Sequence, residues 1–126
     1  MSEESEMNTT KKTDPGVVSL ITDLKKWSRE NNAPIWRDIA CRLEKPGRIW
    51  AEVNLSRIAL HAKKGETIIV PGKLLGAGDL KVSVTVATVR SSKQAREKIA
   101  AAGGSVLTIP ELVKSNPKGT GVRIMG

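Results

Sequence analysis

Residues 68–80 decide the fold, and their sequence is Ile68-Ile69-Val70-Pro71-Gly72-Lys73-Leu74-Leu75-Gly76-Ala77-Gly78-Asp79-Leu80. Residues 67–70 predict a short strand that ends at Pro71, because proline donates no hydrogen bond to a sheet. The three glycines that follow favour positive φ angles or a close approach of the backbone to another group. Alternating valines predict a second, half-buried strand at residues 82–89. The glycine segment therefore joins two strands, either as a hairpin-like connector or as a surface that approaches a ligand.

Two helices are predicted upstream of this unit. Asp14-Pro15 is typical of an N-cap followed by proline in the first turn. Apolar residues recur at helical spacing from Val17 to Trp27, and residues 31–34 separate this helix from a second one that continues to Leu43. Residues 53–62 fit neither strand nor helix well. We prefer a short helix from Asn54 or Ser56 to Ala62, with Ile58, Ala59 and Ala62 on one face.

Downstream of the second predicted strand, the sequence indicates secondary structure more clearly. Ser91-x-x-Gln94 is a candidate capping box for a helix that Gly103-Gly104 ends. Residues 106–108 predict a third strand. Thr108-x-x-Glu111 predicts the start of a last short helix, which Asn116-Pro117 ends before a final extended segment. The class is α/β: a small single domain in which two N-terminal helices precede strands and helices in the order strand, strand, helix, strand, helix, strand.

The charge of the chain is strongly positive. The formal net charge is +8 and the isoelectric point is near 9.9. The first fourteen residues hold four acids and two lysines, so the rest of the chain carries +10. We expect residues 1–14 to be a mobile acidic tail and residues 15–126 to be the single domain. An excess of this size indicates a polyanionic partner.

Cysteine content and hydropathy bear on the compartment. Cys41 is the single cysteine, which excludes an internal disulfide and is typical of a reducing compartment. No apolar run approaches the ~20 residues of a membrane helix, and the polar, acid-bearing N-terminus does not resemble a signal peptide. We expect a cytoplasmic protein without membrane contact.

The sequence does not match the nucleotide-binding, catalytic or metal-binding patterns that its glycines, cysteine and histidine could suggest. A P-loop would need glycine at Thr67 and serine or threonine at Leu74. Cys41 and His61 lie in contexts that do not support a nucleophile and its base. His61 has no nearby ligand partners for a metal, so we interpret it as structural or exposed. We expect no enzyme, no cofactor, no metal and no small-molecule substrate.

Aromatic residues are scarce. The chain has no Phe and no Tyr, and its tryptophans are Trp27, Trp36 and Trp50. Modules that stack bases of single strands need several exposed rings on a sheet. The composition therefore favours a partner that is recognised by its phosphates and its shape.

From about Pro15 to Gly126 the chain resembles the archaeal and eukaryotic large-subunit ribosomal protein family called L eighteen-e, a relative of bacterial L fifteen. The resemblance covers nearly the whole chain and leaves out the acidic first fourteen residues. Gly47 stands where the family pattern suggests another basic residue. The matching segments are 36–40 (WRDIA), 50–56 (WAEVNLS) with Ile58, 70–76 (VPGKLLG), 95–99 (AREKI), 102–104 (AGG) and 116–123 (NPKGTGVR).

The resemblance implies an irregular repeat of two strands and a helix, preceded by an extension that enters the RNA. It also implies a non-catalytic component of the large subunit that binds large-subunit ribosomal RNA beside neighbouring ribosomal proteins. A free-standing RNA- or DNA-binding module of the same fold remains the alternative. Candidate RNA contacts are Lys25, Lys26, Arg37, Arg42, Lys45, Arg48, Lys63, Lys64, Lys73, Lys81, Arg90, Lys93, Arg96, Lys118 and Arg123. Candidate close-approach glycines are Gly72, Gly76, Gly78, Gly119 and Gly121.

Overall fold

The structure is a computed structural model that describes residues 15–46 and 50–125. The expected tail, the Asp14 cap and Arg48 lie outside these residues. The helices are α1 (Pro15–Asn31), α2 (Pro34–Leu43), α3 (Leu55–His61), α4 (Lys93–Ala101) and α5 (Ile109–Ser115). The strands are β1 (Ala51–Asn54), β2 (Thr67–Leu75), β3 (Thr85–Ser91), β4 (Ser105–Thr108) and β5 (Val122–Ile124). The predicted α/β class of a small domain is confirmed.

Strand β2 is the centre of a parallel sheet in the order β1-β2-β3-β4. Its second half pairs with β1, from Gly72 opposite Ala51 to Leu75 opposite Asn54. Its first half pairs on the same side with β5, from Thr67 opposite Val122 to Ile69 opposite Ile124. Strand β2 therefore pairs directly with three other strands, β1, β3 and β5.

Helices cover both faces of the sheet. Crossovers between parallel strands are right-handed. The face on which a connecting helix lies therefore depends on the direction in which the chain steps from one strand to the next across the sheet. The chain moves the same way from β1 to β2 and from β3 to β4, and α3 and α4 share one face, where Ile58 and Ile99 pack with Ile68 and Val86. It returns from β4 to β5, and α5 lies on the other face with α1 and α2.

The predicted end of β2 at Pro71 is wrong. The strand continues to Leu75, and its register against β3 shifts between Val70 and Lys73. An extra residue on one strand forms a bulge, which is where a sheet tolerates a residue that lacks an N–H group. The buried Thr88 hydroxyl lies 3.1 Å from the Gly72 carbonyl oxygen at this bulge.

The hairpin-like interpretation of the glycine segment is also wrong, because β2 and β3 run parallel. Their connection, residues 76–84, crosses the length of the sheet without a helix. The second strand begins at Thr85 rather than residue 82, although Val84 and Val86 are buried on one face as the alternation predicted.

Two further helix or strand boundaries differ from the sequence prediction, and one agrees with it. Residues 51–54 form β1 before the predicted short helix, in which Ile58 is buried but Ala59 is exposed. Helix α4 is capped by Ser92, one residue later than expected, through a bond from the Ala95 N–H. The capping box of Thr108 and Glu111 on α5 is confirmed.

Candidate nucleic-acid interface

The glycine loop, residues 76–79, lies at the carboxyl edge of the sheet, where β1, β2 and β3 end. Lys98 on α4 holds it: its Nζ donates to the carbonyl oxygens of Gly76 at 3.0 Å and Gly78 at 2.7 Å. The side-chain oxygen of Asn54 accepts a bond from the Ala77 N–H at 3.3 Å. The loop is therefore held from α4, by a lysine that the sequence reasoning missed, and from β1, by Asn54.

The glycines in this region lie close to other parts of the same chain. A Cβ at Gly72 would overlap the carbonyl oxygen of Ala51 on β1. At Gly76 it would lie 2.9 Å from the backbone nitrogen of Ala95 on α4, and Gly78 combines a φ of +94° with close contact to Ser56. Close packing between strands and helices thus accounts for these three glycines. Gly119 packs on Ile35 in the same way, whereas Gly121 faces open space.

Many of the predicted basic contacts already interact within the chain. The closest ion pairs are Arg123 with Glu66 at 2.6 Å and Lys25 with Glu44 at 2.8 Å. The other ion-paired candidates are Lys26 with Glu30, Arg42 with Asp38 and Lys73 with Glu52. Arg96 donates to the Ser91 carbonyl and Lys118 to the Asn31 carbonyl, while the Arg90 guanidinium lies 5.9 Å from the ring centroid of Trp50.

Six predicted cations are exposed, with no side-chain partner among residues 15–46 and 50–125: Arg37, Lys45, Lys63, Lys64, Lys81 and Lys93. They are distributed over the domain. Arg37 and Lys45 belong to the α2 side, Lys63 and Lys64 lie in the turn before β2, and Lys93 lies at the carboxyl edge. Three further exposed basic residues were not among the candidate RNA contacts predicted from the sequence: Arg29, Arg57 and Lys114.

Two carboxylates have a lowered pKa because they accept hydrogen bonds. The pKa of Glu66 is lowered first by the Lys63 backbone N–H and then by Arg123. The pKa of Glu111 is lowered by the backbone N–H and the hydroxyl of Thr108 in the capping box. Both are structural roles: Glu66 ties the turn before β2 to β5, and Glu111 starts α5.

The described residues contain no group of three or more His, Cys, Asp or Glu side chains arranged to hold a metal ion. Cys41 is exposed on α2, and His61 is exposed at the end of α3. None of the helices in the described part of the chain is long and apolar enough to span a membrane. The chemistry that the surface offers is that of distributed positive charge.

Comparison with known proteins gives a consistent result. The family model described as "Ribosomal protein 60S L18 and 50S L18e" matches residues 1–126, including the fourteen that the sequence resemblance left out. The chain is 56% identical over 117 residues to the large ribosomal subunit protein eL18 of Methanoregula boonei, covering 93% of this chain and 97% of that protein. The same protein of Archaeoglobus fulgidus is 48% identical over 115 residues, covering 91% and 98%.

Proposed function

The chain belongs to the family of ribosomal proteins 60S L18 and 50S L18e, and on that premise we propose that it binds large-subunit ribosomal RNA through phosphate contacts and supports assembly of the large subunit. Family membership is the observation that carries this proposal. Its partners are the RNA and the ribosomal proteins beside it.

Charge supports a phosphate-based mode of binding. Lysine and arginine at the RNA surface displace condensed counterions, which gives affinity without base recognition. The exposed cations without a partner in the described chain are the first contacts that we assign, because no internal ion pair competes for them. The ion-paired candidates form a second group, since RNA must compete there with a carboxylate.

The experiment that tests the proposal is sedimentation. We expect the full chain to travel with the large subunit through a sucrose gradient at moderate salt. A free-standing nucleic-acid-binding module of the same fold would stay at the top of the gradient. Recovery of the protein at the top alone, from cells of its own source, would contradict a ribosomal role.

Salt dependence tests the phosphate mechanism. If ~6 phosphates are neutralised, log affinity for folded ribosomal RNA falls against log salt with a slope of roughly −4 to −5. Arg37→Ala should weaken binding and reduce the slope by about one unit, because it removes one phosphate contact. Filter binding at four or more salt concentrations measures both values.

Arg42→Ala, on the same helix, is the matched control for that titration. Its guanidinium already lies 3.3 Å from Asp38, so its loss should change the slope less than Arg37→Ala does. A flat salt dependence of the parent protein would eliminate the electrostatic mechanism.

A further inference from the structure

Helix α3 presents an apolar side chain to solvent. In the described chain, the large apolar residues that are exposed are Leu60, at 78%, and Val18, at 48%. Leu55 and Ile58 attach α3 to the sheet and are fully buried, so the packing of the helix does not require a leucine at position 60. One exposed leucine is ordinary on a protein surface, and its surroundings decide what it can bind.

The surroundings of Leu60 are basic. Residues 55–65 contain three lysines or arginines and no acid. Arg57 lies one helical turn before Leu60, and residues at this spacing are neighbours on a helix surface. Arg57 and Lys64 are exposed, and neither has a side-chain partner in the described chain. We define the α3 surface by the exposed residues Arg57, Leu60, His61 and Lys64.

The carboxylates that flank this segment interact with cations elsewhere. Glu52, the acid that precedes it, lies 3.9 Å from Lys73. Glu66, the acid that follows it, accepts a hydrogen bond from Arg123 at 2.6 Å. Asp79, in the glycine loop that packs on the start of α3, lies 4.0 Å from the α4 lysine that holds this loop. The charge of the α3 surface is therefore available to a partner outside the chain.

The inner side of the segment is fixed to the domain at both ends of α3. The Ser56 N–H donates to the Ala77 carbonyl oxygen at 3.0 Å. After the helix, the Lys63 N–H donates to the Glu66 carboxylate at 2.9 Å. The outer side is thus held as a convex ridge, with an apolar side chain between a cation before it and a cation after it in the sequence.

We propose that the α3 surface lies against a double-helical segment of large-subunit ribosomal RNA, with Leu60 on ribose in the minor groove and Arg57 and Lys64 on phosphates. A convex ridge cannot enclose an unpaired base. The minor groove of an RNA duplex is wide and shallow and displays ribose hydroxyls, and phosphates line its sides. The proposal rests on the proposed function and assigns one surface and one kind of RNA element to it.

Leu60→Ala tests the apolar contact in the full chain. The midpoint of thermal unfolding should equal that of the parent, because the side chain packs on little of the protein. Affinity for folded large-subunit ribosomal RNA should fall about fivefold, as expected when part of a leucine side chain is no longer buried. The slope of log affinity against log salt should not change, because no ionic contact is lost.

Val18→Ala is the matched control for that variant. It shortens the other exposed apolar side chain, on α1 at the opposite face of the sheet, and should bind the RNA as the parent does. Leu60→Gln, which keeps the length of the side chain and makes it polar, replaces Leu60→Ala if that variant fails to fold.

Arg57→Gln tests the ionic part of the contact. It should weaken binding and lower the salt slope by about one unit, because it removes one phosphate contact. Folded Leu60→Ala or Arg57→Gln proteins that bind the RNA as tightly as the parent would overturn the proposal while the general phosphate mechanism stands. Such a result would favour an acidic protein as the partner of this surface.

Directed cleavage of the RNA identifies the element that is bound. Cys41→Ser removes the native thiol, and Ala59→Cys adds one at an exposed position beside Leu60, to which iron–EDTA is attached. Hydroxyl radicals released there should cut both strands of one RNA duplex. Cuts confined to unpaired loops, or no cuts by a protein that binds, would contradict the minor-groove contact. A parent protein that does not bind the RNA refutes the proposed function itself.

Discussion

Gly72→Ala should lower the free energy of unfolding by about 2–4 kcal/mol, a large share of the stability of a small domain. The new Cβ would overlap the Ala51 carbonyl oxygen and lie 3.1 Å from the Ala51 nitrogen. Both are backbone atoms of β1, so no side-chain rotation relieves the clash and the two strands must separate. Urea denaturation followed by tryptophan fluorescence measures the loss.

Gly121→Ala is the control for the cost of adding a methyl group as such. A Cβ there meets nothing within 4 Å, and its φ of +75° adds only conformational strain, which is on the order of 1–2 kcal/mol. A loss at Gly72 no larger than the loss at Gly121 would show that β1 is not held tightly against β2.

Trp36→Ala should cost about 3–5 kcal/mol, the range for removing a large aromatic side chain from a core. The ring is fully buried, and its Nε1 donates to the Pro117 carbonyl oxygen at 2.7 Å. It therefore connects α2 to the segment that leads into β5. Trp36→Phe keeps an aromatic ring but removes the donor and leaves space in the core, and should cost about 1–3 kcal/mol for the two losses together.

Trp27→Phe provides the comparison for these Trp36 variants. Trp27 is half-buried at the margin of the same core, so the substitution should cost less than Trp36→Phe. Chemical denaturation of the four proteins, with equal slopes against denaturant, gives the differences. Equal stability of Trp36→Phe and the parent protein would contradict a stabilising role for the indole and its bond to Pro117.

Local signals in the sequence were sufficient where the determinants lie within one turn. The capping box at Thr108 and Glu111 needs only residues three positions apart, and it formed as predicted. The separation of α1 from α2 at residues 31–34 likewise depends on local turn chemistry. These elements follow from backbone hydrogen bonds that neighbouring side chains can satisfy.

The pairing of strands across the sheet could not be predicted from such local signals. Strand β1 is four residues long with one fully buried side chain, Val53, and it exists because β2 lies beside it. The continuation of β2 through Pro71 depends on a bulge against β3, and the direction of β3 depends on partners far away in the chain. Strand preference depends strongly on such context.

The candidate interface was predictable in kind but only partly in detail. Net charge and the family motifs indicated RNA, and they required no coordinates. Which cations are already occupied was not visible, because the partner of Arg123 is Glu66, 57 positions away. Lys98 was missed for the same reason: the carbonyls that it holds belong to residues 20 or more positions earlier.

The position of β5 in the sheet has a consequence for how this protein acquires its structure during synthesis. Residues 122–124 complete the side of β2 that begins at Thr67, and Met125 donates its N–H to Ile69 at 3.0 Å. Contacts between segments so far apart in the chain form slowly, because a long loop must first close. While the chain is still being translated, the first half of β2 lacks its last neighbour and exposes an unpaired edge. The nascent domain should therefore become resistant to protease only after its final strand has left the exit tunnel.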